Sequence, residues 1–110
     1  MSTANELARA LLLASLLSAS PVLADERFNF FHKVGVIQRA ANACNDEDIA
    51  KAARRMMDTP EVRSVKNDDW LAADAIVVGV VTFNRRVDEQ GLKFNCALVK
   101  ELARREGYLK

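Results

Sequence analysis

The sequence predicts a small α+β domain: one or two N-terminal helices packed on a small antiparallel β-sheet, with one disulfide. Three observations carry that expectation. The run Ile76-Val77-Val78-Gly79-Val80-Val81-Thr82-Phe83 is dense in β-branched residues, which lose χ1 freedom in a helix and suit a pleated surface. After Asp88-Glu89-Gln90-Gly91, residues Leu92, Phe94, Cys96 and Leu98 alternate with Lys93, Asn95, Ala97 and Val99, the period of a half-buried strand. Upstream, apolar residues recur at spacings of three and four, the period of a helix. An all-helical fold, with 70–87 as a buried helix, is the alternative reading.

Residues 1–24 read as an export signal. Arg9 precedes the apolar run 10–17, Pro21 breaks the helix, and Val22-Leu23-Ala24 places small or aliphatic residues where a signal peptidase reads. Glu6 offsets Arg9, so a miscalled start codon or an ordinary amphipathic helix is the competing reading. The run is shorter than the roughly 20 residues that a bilayer span requires, and no membrane span is expected in the mature form. Cleavage after Ala24 leaves 25–110 as a single small domain.

Within that domain, Phe28, Phe31, Val34, Ile37, Ala41 and Cys44 form a helical stripe. Asn45-Asp46-Glu47-Asp48 then supplies a cap and acidic first-turn residues for a second helix, whose stripe is Ile49, Ala52, Ala53, Met56 and Met57. Pro60 ends it. The segment 61–66 is β-compatible and bordered by turn residues, an edge-strand candidate, and Trp70-Leu71-Ala72-Ala73 leads into the hairpin as a corner of the sheet.

In the hairpin, pairing Val87 with Leu92 places Val81, Phe83, Val87, Leu92, Phe94, Cys96 and Leu98 on one face, and Arg85 is the exception that snorkels to water. Gly91 closes the turn with the residue that takes φ > 0 most cheaply. Residues 100–106 have helical propensity, and Gly107 stops them.

The formal charge of +1 gives no reason to expect nucleic acid or an anionic membrane as partner. A domain of this size is marginal on core burial alone. With only two cysteines and an oxidising compartment, a bond between Cys44 and Cys96 follows, and closing so long a loop stabilises by roughly 4 kcal/mol on the chain-entropy model. Two buried free thiols in a reducing compartment are the competing reading.

Chemistry-bearing residues are sparse. His32 is the single histidine, which excludes sites built on two imidazoles, and no metal or cofactor is expected. The acidic clusters Asp46-Glu47-Asp48 and Asp68-Asp69 lack calcium-loop spacing. Four scattered glycines make no phosphate-cradling loop. Three arginine pairs, Arg54-Arg55, Arg85-Arg86 and Arg104-Arg105, are the most distinctive polar feature, and two of them brought together would form a patch for an anionic partner.

A Cys-bearing helix with Cys44, a break at Pro60, Val78-Gly79-Val80 and Phe94-Asn95-Cys96 give a layout similar to small exported bacterial disulfide-containing proteins of unknown function. The resemblance implies an envelope location and a disulfide, and brings no activity with it. The expected function is a non-enzymatic periplasmic or secreted protein-interaction or inhibitor module, meeting another envelope protein through the sheet face, its edge or the arginine pairs. A small envelope stress chaperone, exposing Met56, Met57, Phe28, Phe30 and Phe31 on partial unfolding, is the second reading. A small enzyme is the third.

Overall fold

Helix α1 (Ala19–Ala43) is the element against which the others pack. The structure, a computed structural model, describes residues 19–109, with side chains from residue 24 onward. Most of the expected export signal, 1–18, lies outside the described residues. Pro21, expected to break a helix, is instead the third residue of α1, a position that forfeits no intrahelical N–H bond.

After α1 come α2 (Glu47–Met57), the single turn α3 (Pro60–Arg63), α4 (Trp70–Gln90) and α5 (Leu92–Arg105). There is no strand among the described residues, so the α+β expectation is corrected: this is a small all-helical domain with one disulfide. The expected hairpin is two helices. The expected edge strand 61–66 holds the helical turn α3, because Pro60 sits at its first position, where its fixed φ suits helix entry.

Tertiary packing overrides β-propensity in α4. Its buried residues are helically spaced and, but for Phe83, small: Ala72, Ala75, Gly79 and Phe83, whereas Val77, Val78 and Val81 face solvent. Trp70, expected to anchor a corner, is 76% exposed. Asp69 caps the helix, its Oδ1 accepting from the Ala72 N–H at 3.1 Å. In α5 the inward positions are Asn95, Val99 and Ala103, one turn apart, and the alternating Leu92, Phe94 and Leu98 lie exposed.

Cross-helix partners fix the directions. Arg27 pairs with Asp69, and Arg39 Nε donates to Asn84 Oδ1 at 2.9 Å, so partners advance together and α1 runs parallel to α4. Lys33 meets Glu106 and Cys44 meets Cys96, so α5 runs antiparallel to α1. Gln38 contacts Met57, which turns α2 back along α1. The order is up-down-up-down, as in a four-helix bundle. The core is drawn from all four long helices: Phe31, Val34, Ile37 and Ala40; Ile49, Ala52 and Met56; Ala72, Ala75 and Phe83; Val99 and Ala103. The apolar side chains of α1 face several neighbours, as the most enclosed helix requires.

The closest approach is between α1 and α4, at Gly35 and Gly79. A Cβ at Gly79 would stand 2.9 Å from the Val36 nitrogen and 3.1 Å from the Gly35 Cα, and nearer still to the His32 carbonyl oxygen. A Cβ at Gly35 would stand 2.9 Å from the Ile76 carbonyl carbon. Each helix backbone rests on the other at a glycine. Two glycines in helix interiors cost about 1 kcal/mol each, offset by the contact they allow.

Three ends are sealed by special backbone. Asn45, at φ 51, turns the chain from α1 into α2, where Asp46 Oδ1 accepts from the Asp48 and Ile49 N–H groups. Gly91, at φ 91 and ψ 155, alone separates α4 from α5; its positive φ was expected, although between helices rather than strands. Gly107, at φ 84, ends α5 as expected, in a Schellman motif with Tyr108 N–H donating to the Ala103 carbonyl at 2.8 Å. Cys44 and Cys96 are bonded, with Cα atoms 5.7 Å apart across 52 residues of sequence, and the tie joins the end of α1 to α5, a helix where a strand was expected.

Gly79→Ala separates the glycine contact from helix propensity. Propensity alone would gain about 1 kcal/mol; forcing a methyl into the Gly35 backbone costs about 1–3 kcal/mol or more. Urea denaturation is expected to show a net loss, and a net gain would mean that the two backbones do not touch.

Candidate functional site

Three helices meet around a cleft of about 220 Å³. Helix α1 contributes His32, Lys33 and Val36; α4 contributes Thr82, Phe83 and Arg86; α5 contributes Asn95, Leu98, Val99, Leu102 and Arg105. On each helix these positions are three or four residues apart or adjacent, so each presents one face to the cleft. The floor is apolar and the rim is basic.

Asn95 organises the wall. It is 2% exposed, and its Nδ2 donates to the Arg86 carbonyl at 2.9 Å and to the Gly91 carbonyl at 2.7 Å. It thus satisfies two carbonyls at the end of α4 while fixing the angle at which α5 leaves Gly91. The sequence did not single it out, since a buried Asn in an alternating stretch reads as the polar face of a strand.

The cleft's charge comes from arginines. Lys33 is matched by Glu106 at 2.6 Å, whereas Arg86 and Arg105 form no ion pair among the described residues. One member each of the pairs Arg85-Arg86 and Arg104-Arg105 therefore faces a shared cleft. Arg85 is exposed on α4, and Arg104 is held by Glu101. The third pair stands apart on α2, with Arg54 bound to Glu47 at 3.1 Å and Arg55 donating to the Tyr108 carbonyl at 2.9 Å.

His32 Nε2 lies 3.2 Å from Thr82 Oγ1, a hydroxyl beside a base. Both are on interior turns of helices, where backbone N–H groups are consumed by the helix and offer no oxyanion hole, and no acceptor engages Nδ1 among the described residues. The pair ties α1 to α4. Burial, and then the nearby Arg86 charge, hold the imidazole below its ordinary 6.5, so at neutral pH it adds no charge to the cleft.

Large apolar side chains are exposed on α4 and α5 near the cleft residues. Phe94 is one turn before Leu98 on α5, Val78 is one turn before Thr82 on α4, and Val77 and Val81 continue outward at 60% and 56% exposure. A second cluster lies across the domain: Lys100 Nζ is 3.2 Å from Asp48 and 3.4 Å from Asp46, beside the disulfide. The Asp48 hydrogen bond, and then the Asp46 charge, raise the Lys100 pKa. Among the described residues no three His, Cys, Asp or Glu side chains gather as a metal site would need, and no helix is long and apolar enough to cross a membrane.

No protein-family model matches the chain, and no match was found among curated proteins or solved structures.

The His32 shift sets a pH dependence. With the folded pKa below 6.5, the unfolded chain binds more protons beneath that value, so this contribution is full above pH 6.5 and is lost as pH falls through the folded pKa. A ring titration followed by NMR should give a midpoint below 6.5. Urea stability should decline between about pH 7.5 and 5 in the native chain and stay flatter in His32→Gln. A midpoint above 6.5 would contradict the placement.

Proposed function

We propose that the chain is an exported, non-enzymatic protein-interaction module whose working face is the outer surface of α4 and α5. The observation that carries this is the exposure of Val77, Val78, Val81, Phe94 and Leu98 on two consecutive helices of a disulfide-bonded domain. Large apolar side chains exposed on neighbouring turns of a folded domain mark a place where something binds. Arg85, Arg86 and Lys93 are exposed on these helices together with Asp74, Asp88 and Glu89, so the fitting partner is a protein segment with apolar anchors and charges of both signs. The sheet face and edge first expected to serve are replaced by helix faces.

Export is supported by the disulfide, a bond that persists in oxidising compartments, and by the apolar run 10–17. The chaperone reading calls for partial unfolding, since Phe31 and Met56 are buried in the folded core.

A photo-crosslinking side chain at Val81 or Phe94, in the exported protein in cells, should trap the same protein adduct. One at Lys51, on the exposed side of α2, should not. Val81→Asp should remove the Phe94 adduct while changing stability by no more than about 0.5 kcal/mol, as exposed positions do. Equal trapping at Lys51, or none at either apolar position, would contradict the assignment.

A further inference from the structure

We propose that the cleft between α1, α4 and α5 binds a small amphipathic carboxylate, with its headgroup on Arg86 and Arg105 and its apolar body against Val36, Phe83, Leu98 and Leu102. This is a small-molecule site that adjoins the protein-binding surface and shares Arg86 and Leu98 with it. Three features select this chemistry.

The first is charge. Two guanidiniums that form no ion pair among the described residues border one cleft, and a guanidinium presents paired N–H donors that match a carboxylate. The other cation of the cleft lining, Lys33, is paired with Glu106, and His32, held below 6.5 by burial and then by Arg86, adds no positive charge at neutral pH. A cationic ligand is therefore repelled, and an anion is drawn in.

The second is the lining. Val36, Phe83, Leu98, Val99 and Leu102 leave the interior apolar, so a bare inorganic anion would forfeit its water without replacement contacts. The third is size. A volume of about 220 Å³ corresponds to roughly seven waters at about 30 Å³ each, or about ten non-hydrogen atoms of a more densely packed chain or ring. A medium-chain or aromatic monocarboxylate fits, and a two-chain lipid does not.

Octanoate is the probe, read by NMR shifts of the Asn95 side-chain amide and by calorimetry. Saturable binding in about the millimolar range or tighter is expected for a ligand of this size. Octan-1-ol, which lacks the charge, and acetate, which lacks the apolar body, should each bind at least roughly tenfold more weakly. Arg86→Gln with Arg105→Gln should weaken octanoate by roughly tenfold or more without perturbing the fold, because Asn95 bonds to the Arg86 backbone and not its side chain. Arg54→Gln with Arg55→Gln should leave binding unchanged. Equal affinity for octan-1-ol, octanoate binding that survives loss of both cleft arginines, or no saturable binding would each overturn the proposal. So would affinity that keeps rising well beyond twelve carbons.

Discussion

Two helix backbones resting on each other, Gly35 of α1 on Ile76 and Gly79 of α4 on His32, form the constraint on which the rest of the molecule depends. Side chains at either position would hold the helices apart. At this separation Arg27 reaches Asp69, His32 reaches Thr82 and Arg39 reaches Asn84, three polar ties above and below the crossing. Each tie is modest at a solvated surface. Their value is in register, since a slip by one turn would break all three and bring larger residues against the opposing backbone.

The second constraint is covalent and acts on α5. That helix makes modest interfaces with α1, α2 and α4, and only Gly91 connects it to α4. The bond from Cys96 to Cys44, the Lys100 contacts to Asp46 and Asp48, and the buried Asn95 hold it from three directions. A helix held in these ways can leave Leu92, Phe94 and Leu98 in water without peeling off or collapsing over the cleft. The exposure of these side chains is therefore a feature of the folded domain.

Much of the first half of the molecule was legible in the sequence. The stripe of the first long helix, a cap within Asn45-Asp46-Glu47-Asp48 and, beyond that half, the stop at Gly107 and the pairing of the two cysteines follow from spacing and residue chemistry and are present; of the second stripe Ile49, Ala52 and Met56 are buried while Met57 is exposed. The second half was misread for an identifiable reason. In 76–83 every residue but Gly79 and Thr82 is apolar, so large side chains show no period, and β-branched composition then favours a strand. The helical period is carried by Ala72, Ala75 and Gly79, residues whose smallness is the signal because another backbone lies against them. In 92–98 the alternation is genuine but belongs to the exposed side, while the buried spacing of Asn95, Val99 and Ala103 begins with a polar residue. Several of the apolar residues that mimicked a sheet, Val77, Val78, Val81, Leu92, Phe94 and Leu98, are exposed on α4 and α5. Of the arginine pairs, sequence could name the members but not show that Arg86 and Arg105 would converge while Arg54 and Arg55 stayed apart.

The most direct test of this account is the NMR signature of the crossing in the oxidised protein. It predicts nuclear Overhauser contacts between the α-protons of Gly35 and Gly79, with helical carbon shifts running unbroken from Trp70 to Gln90. Extended-chain shifts across 76–83, or cross-strand contacts between Phe83 and Cys96 with none between the two glycines, would contradict it.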